Sequence, residues 1–372
     1  MNISLHALLA PYAGRLPPVR VVIASGALER LPDTLRGVLP AGRWLIVADP
    51  VTDGVAGQRV ERLLAAAGLS VARLVLGTAS PAAPLVANEE RVQELIHRMR
   101  GGSARVSASV AVGSGTINDL VKMAAFRVGL PYAVVPTAPS MNGYTSPIAA
   151  ILSRGVKTVQ DARLPAAVVA DVDVLTGAPA RMIAAGFGDL LSRPVSNADW
   201  WLSHQLTGSA YSADVMQLAQ EGCGLVAGMA ARLPERDPEA VARLTGALII
   251  SGYAMTLAGT SAPASGGEHL ISHYLDMTHY AFGQPADLHG CQVAVGTLVT
   301  AAFYERLLAL NPGELDIEGR VAQHPPWSQY AAELHRRFGT LADAVLPHAR
   351  EWYPNRAVLR ARLRAFRTHW PE

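Results

Sequence analysis

The sequence predicts an α/β N-terminal domain built on a parallel sheet, followed by an all-helical C-terminal domain, with an active site in the cleft between them. Two observations carry this reading. Over the first half, short apolar runs alternate with amphipathic stretches, the pattern of strands and covering helices in a parallel sheet. After VLTGAP (174–179) the strand-like runs stop, and long Ala/Leu-rich helical patterns broken by Gly and Pro continue to the C-terminus. The boundary therefore falls near residue 178, giving domains 1–178 and 179–372.

Each element follows from its own residues. RWLIVAD (43–49) reads as a buried strand, a helix follows near 55–67, VARLVL (71–76) is the next strand, and 88–100 the next helix. SASVAV (107–112), a helix over 116–128 and PYAVV (131–135) continue the alternation. AAILS (149–153) and VKTV (156–159), joined by Arg154 and Gly155, look like a small hairpin, and AAVVAD (166–171) like one more buried strand. In the second half, the uncharged stretch 244–260 contains three glycines and falls short of the ~20 apolar residues that span a bilayer, so it is expected to be a buried helix. The basic tail, with RARLRAFR, reads as a solvated helix face.

The bulk numbers bound the function. A chain of 372 residues, 50% hydrophobic, can bury a large core. A formal charge of +2 argues against nucleic acid as the main partner, and no segment argues for membrane insertion. Cys223 and Cys291 cannot form a disulfide framework, and the start MNISLHALLAPYAG lacks a signal-peptide pattern, so a cytoplasmic location is expected. Only Lys122 and Lys157 are lysines, against many arginines, which makes those two worth following.

The segment GSGTIND (113–119) joins an apolar strand to a helix through a glycine turn. Helix-start N–H groups lack internal partners and carry partial positive charge, so such a turn can hold a phosphate. Asp49, at the end of an earlier strand, can accept both ribose hydroxyls of an adenosine, favouring NAD over NADP. An N-cap aspartate before Pro50 is the equal alternative. PTAPSMNGYTS (136–146) follows a strand at the edge where open α/β sheets bind ligands, and offers the hydroxyls of Thr137, Ser140 and Ser146.

The helical half carries the metal-binding chemistry. Asp189, His269, His273 and His289 supply one carboxylate and several imidazoles from separate helices, a set suited to a divalent transition metal with an open coordination position. His269 and His273 stand one helical turn apart, so one can ligate while the other reaches the reacting group. Glu268 is expected to point elsewhere.

GSGTIND, PTAPSMNGYTS, GFGDLL (186–191), SGGEHLISH (265–273) and LHG (288–290), in this order, resemble the sn-glycerol-1-phosphate dehydrogenase family. That family is related to glycerol dehydrogenase, iron-containing alcohol dehydrogenases and dehydroquinate synthase. The resemblance runs from about Arg43 to Leu308 and implies a Rossmann-like sheet domain. It further implies that Gly113, Ser114, Gly115, Thr116, Ile117 and Asp119 serve the dinucleotide, together with Thr137, Ala138, Pro139, Ser140 and Ser146. Asp189, His269 and His289 are implied to bind one divalent metal, zinc first with nickel or iron as alternatives. Asp189 and His273 are implied to touch substrate.

Three positions depart from that pattern. Ser114 replaces a glycine of the phosphate turn. Asn142 stands where the family usually has a substrate-contacting aspartate, and it keeps the shape without the charge or the capacity to act as a base. Arg193 replaces a further ligand or lysine; it has no lone pair for a metal, but its guanidinium is expected to clamp a phosphate, and Pro194 to fix its direction.

The resemblance implies a metal-dependent, NAD(H)-linked dehydrogenase, with NADP as alternative cofactor, that interconverts a small phosphorylated polyol and its ketone. The simplest pair is sn-glycerol 1-phosphate and dihydroxyacetone phosphate, placing the protein in phospholipid metabolism, with His273 relaying the proton at a pKa near neutrality. A dehydroquinate synthase-like cyclase or lyase is the nearest alternative, kept open by Lys122 and Lys157. A non-catalytic NAD-binding sensor, disabled at Asn142, is the second. A homodimer is the default assembly.

Overall fold

The computed structural model describes residues 2–77, 85–101 and 105–370. Its N-terminal half is a six-stranded parallel sheet in the order β1-β8-β5-β4-β2-β3. The strands are β1 (Arg20–Ala24), β2 (Arg43–Ala48), β3 (Val71–Val75), β4 (Val106–Gly113), β5 (Tyr132–Pro136) and β8 (Ala167–Asp171). The expected hairpin forms a separate antiparallel pair, β6 (Ile148–Ser153) with β7 (Val156–Asp161). β1 has no counterpart in the sequence reading. Five residues behind two prolines give little periodicity; register with β8, from Arg20 opposite Ala167 to Ala24 opposite Asp171, holds it at the sheet edge.

Alternating residues of the central strands feed two cores, because successive side chains point to opposite faces. Val47, Ala111, Val134 and Val168 join one cluster, while Ile46, Val110, Val135 and Val169 join the other. Near-continuous apolar runs are what a sheet buried on both faces requires.

The helices flanking these strands include α1 (Gln58–Ala66), α2 (Glu89–Arg100) and α3 (Gly115–Val128). Helical structure ahead of α1 begins earlier than expected, at Pro50, because Asp49 caps it and Pro50 is already restricted to a helical φ. A π-turn at Asp53–Gly57 links the two pieces.

Among the described residues, the strands end at Asp171 and helices follow. They include α4 (Ala180–Leu191), α5 (Arg193–Thr207), α6 (Ala213–Gly224), α7 (Pro238–Ala258), α8 (Gly267–Phe282) and α9 (His289–Leu308), of which α4, α8 and α9 carry the clustered Asp189, His269 and His289. α4 ends at Ser192 and Pro194 sits in the first turn of α5, where its missing N–H costs nothing. α7 contains most of the apolar stretch read as a buried helix. It is long and apolar enough to cross a membrane by length and composition alone, but 83% of that window is buried inside the protein. Gly259, at φ +66, stops it after Ala258.

Candidate active site

The sheet side of the site is built by backbone. β4 turns directly into α3 at Gly113, where a Cβ would lie 2.6 Å from Cβ of Ile117, so the turn needs glycine. Ser114 caps α3 without a side-chain hydrogen bond. The helix start opens onto a cavity of about 300 Å³ that Ser114, Gly115, Thr116, Asp119, Ser140, Asn142 and Ser146 help to line. Gly113, Ile117, Thr137, Ala138 and Pro139 stand just behind that wall. The Thr137 N–H donates to the Gly113 carbonyl, and the Ala138 carbonyl accepts from the Tyr144 hydroxyl.

Several hydroxyls and charges that looked available are engaged inside the protein. Ser146 Oγ bonds the carbonyls of Gly143 and Ile148. Lys122 is buried and its Nζ reaches the carbonyls of Gly143, Ser146 and Ile148 at 2.6, 3.2 and 2.9 Å, clamping the loop from below. Burial lowers its pKa to about 8, with Asp119 opposing the fall. The carboxylate of Asp119 accepts from Asn118 and from the Ala150 N–H, tying α3 to the hairpin, and burial raises its pKa. Asp49 takes the cap alternative: Oδ1 accepts the N–H groups of Val51 and Thr52 at 2.8 and 2.9 Å, while Thr52 Oγ1 accepts the Asp49 N–H.

The helical side is built by side chains brought together through glycines. A Cβ at Gly188 would lie 2.5 Å from the Gly290 carbonyl, one at Gly290 only 1.8 Å from the Ala185 carbonyl, and one at Gly296 2.5 Å from the Glu268 carbonyl. α4, α9 and α8 therefore cross almost backbone to backbone. A Cβ at Gly186 would fall 1.7 Å from the Pro139 carbonyl, so α4 also rests directly on the loop after β5. These contacts place one ligand atom each of Asp189, His269 and His289 within 4.8 Å of one another.

Their partners fix how they point. Glu268 does not point elsewhere, as the sequence suggested. It lies in the first turn of α8, where its Oε1 accepts the Gly266 N–H at 2.9 Å and lies 2.8 Å from His269 Nδ1. A hydrogen on Nδ1 leaves Nε2 facing Asp189, 3.4 Å away. His289 Nδ1 lies 2.9 Å from Ser272 Oγ, which donates to Gln292 Oε1 at 2.8 Å, so this imidazole too keeps Nε2 free. Burial pulls the His269 pKa down, but hydrogen bonds to Asp189 and Glu268 outweigh it and the pKa is raised. Burial, with Lys157 and His269 adding to it, pushes His289 well down.

Two other site residues, His273 and Arg193, behave differently from the sequence expectation, and Asn142 uses the donor that an aspartate would lack. Burial, then Lys157 and His269, depress the His273 pKa to about 3 rather than leaving it near neutrality, so its imidazole is neutral in the resting site. Asn142 faces Asp189: its backbone N–H donates to Oδ2 and its side-chain Nδ2 to Oδ1, both at 3.0 Å. A carboxylate at 142 cannot make the second bond unless protonated. Arg193 is 1% exposed, and Nη2 and Nη1 donate to the carbonyls of Asp189 and Pro263 at 2.8 and 3.3 Å. It braces the end of α4 and offers no free fork for a bidentate phosphate clamp.

The donor set suits a divalent ion. One carboxylate and two imidazole Nε2 atoms converge, the ring nitrogens on the far side are held by Glu268 and Ser272, and the deeply buried Asp189 has Asn142 and Arg193 around it. The same cavity touches both the α3 start and His269, His273 and His289.

Comparison with known proteins agrees with this geometry. The iron-containing alcohol dehydrogenase family matches residues 22–179. A glycerol-1-phosphate dehydrogenase [NAD(P)+] from Halalkalibacterium halodurans is 36% identical over 285 residues, 76% of this chain and 70% of that protein. The enzyme of the same name from Pyrococcus horikoshii is 34% identical, over 77% of this chain and 79% of its own length. The chain belongs to the glycerol-1-phosphate dehydrogenase family. Among solved structures, glycerol dehydrogenase from Schizosaccharomyces pombe superposes with a TM-score of 0.64 at 18% identity, covering 94% of this chain and 89% of that one. An iron-containing alcohol dehydrogenase from Thermotoga maritima gives 0.59 at 16%, over 75% of each. At such identities the structures share the two-part fold: a parallel sheet followed by helices.

Proposed function

We propose that this chain is a metal-dependent, NAD(P)-linked dehydrogenase that interconverts a small phosphorylated polyol and its ketone, in the simplest case sn-glycerol 1-phosphate and dihydroxyacetone phosphate. The observation that carries the reading is a single cavity with the bare start of α3 on one wall and the Asp189, His269, His289 cluster on the other. Asp189, His269 and His289 hold the metal, zinc by preference for a mixed carboxylate and imidazole set. Gly113 to Ile117, Asp119 and the loop from Thr137 to Ser146 form the dinucleotide side. NAD is the preferred cofactor and NADP the alternative, since Asp49 uses only Oδ1 in its cap.

When bound, the metal polarises the substrate oxygen and the nicotinamide supplies or takes up the hydride. The chain's own groups do the rest. His273, neutral and beside the two ligand histidines, holds the hydroxyl hydrogen of the carbinol through its free ring nitrogen. Asn142 keeps the Asp189 carboxylate in one orientation by donating to both oxygens.

The protein is taken as cytoplasmic and homodimeric. Leu298 and Phe303 on α9, 73% and 64% exposed, support a self-association that light scattering checks.

The deciding experiment strips the protein with chelator, restores single metals and follows NADH and NADPH loss with dihydroxyacetone phosphate. Metal-dependent turnover is expected. Its absence with this ketone and with related phosphorylated ketoses would overturn the reading. A cofactor returned unchanged while inorganic phosphate is released would replace it by a cyclase or lyase.

A further inference from the structure

A ketone phosphate brings a dianion into the cavity, and few groups there can balance it. The start of α3 is the place of the dinucleotide phosphates. Arg193 is turned onto carbonyls. Lys157 on β7 is the one lysine or arginine among the described residues that line the cavity.

We propose that Lys157 binds the phosphate of the substrate and so sets the preference for a phosphorylated over an unphosphorylated ketone. The proposal rests on the dehydrogenase reading above and assigns a residue to its specificity. Lys157 Nζ donates to Asp276 Oδ2 at 2.6 Å, and the two side chains are 18% and 14% exposed. Asp276 stands three residues beyond His273 on α8, on the same helical face and about 4.5 Å further along the axis. The ammonium is thus held one turn from the group facing the reacting oxygen. In a three-carbon ketone phosphate, the phosphorus is three bonds from the carbonyl carbon, which suits that offset.

An ammonium has three donors, and one is engaged by Asp276 among the described residues. Two remain for phosphate oxygens. The nearby wall carries Ile148, Leu152 and Val159, together with Asp119, whose carboxylate is already engaged by Asn118 and the Ala150 N–H, so a phosphate there has few competing partners for the ammonium. Lys157 also contributes to the lowered pKa values of His273 and His289, which places its charge within electrostatic reach of the chemistry. Asp276 opposes an anion. Its part is to aim the ammonium and cancel its charge when no phosphate is present.

The test compares kcat/KM for dihydroxyacetone phosphate and for dihydroxyacetone in the metal-loaded wild type, Lys157→Met and Asp276→Asn. Lys157→Met is expected to lower the phosphorylated-to-unphosphorylated ratio about 10- to 100-fold, mostly through KM for the phosphorylated ketone. Asp276→Asn, which keeps the lysine, is expected to retain most of the preference. Equal losses on both ketones in Lys157→Met, or a preference abolished as fully by Asp276→Asn, would show that the pair only straps the hairpin to α8. Calorimetric titration of the NAD- and metal-loaded protein with inorganic phosphate reads the same site without turnover. Binding lost in Lys157→Met supports the assignment, and binding unchanged overturns it, even where the wild type reduces neither ketone and the dehydrogenase reading itself fails.

Discussion

The two walls of the cavity are made from different materials. The sheet wall is backbone: a glycine turn, helix-start N–H groups that no described residue accepts from, and a loop in which Ser146 and Lys122 bond the loop's own carbonyls. The helical wall is side chain: Asp189, His269 and His289 are held in place by Asn142, Glu268 and Ser272. A backbone site tolerates sequence change wherever the turn itself does not demand glycine, as it does at Gly113, because every residue but proline has an N–H. A side-chain site depends on helix spacing to fractions of an ångström, and here glycines set that spacing.

The largest effect should therefore come from the glycines between helices rather than from Ser114 in the turn before α3. Gly290→Ala puts a methyl 1.8 Å from the Ala185 carbonyl, and neither backbone can yield without parting α4 and α9. We expect a loss of stability of about 3 kcal/mol together with lost metal binding, read by urea unfolding and by metal content after gel filtration. Ser114→Gly, on the opposite wall, should leave both unchanged. A Gly290→Ala protein with wild-type stability and full metal would show that the helix crossing is looser than it looks.

Next in size is the support behind a ligand. Glu268→Gln retains an acceptor for His269 Nδ1 but removes the charge, and Glu268 is fully buried at 0% exposure. Zinc affinity is expected to fall about 10-fold, measured by competition with a chromophoric chelator, with the fold intact by circular dichroism. An unchanged affinity would leave Glu268 as a cap of α8 and nothing more.

What could be read in the sequence divides along the same line. The sheet strands and the glycine turn were legible because apolar periodicity and glycine are local signals; β1 was missed because its identity comes from pairing with β8. Asp189, His269 and His289 were legible as residue types. Their partners were not. Glu268 sits beside His269 in the chain, yet nothing in GGEH says that a first-turn carboxylate folds back over the helix start. Arg193 looked like a phosphate fork because its charge is visible in sequence, whereas the Asp189 and Pro263 carbonyls that occupy it belong to tertiary packing. His273 likewise carries its neutral-pH expectation only until burial is known.

The smallest effect belongs to the sheet wall and is a pH dependence. Burial lowers the pKa of Lys122 from its ordinary 10.5 to about 8. Between those values the unfolded chain holds a proton on this lysine that the folded chain has released, so its contribution to stability rises with pH across that window and is level below and above it. One proton sets the upper limit of the slope at about 1.4 kcal/mol per pH unit. Lys122→Met removes the titration and the clamp on the loop carbonyls together. It should be less stable at every pH, and its deficit relative to wild type should widen between pH 8 and 9.5. Urea midpoints of the two proteins at half-unit pH steps decide it: curves that run parallel through this range would mean that Lys122 stays charged in the fold, held as an ammonium by the carbonyls of Gly143, Ser146 and Ile148.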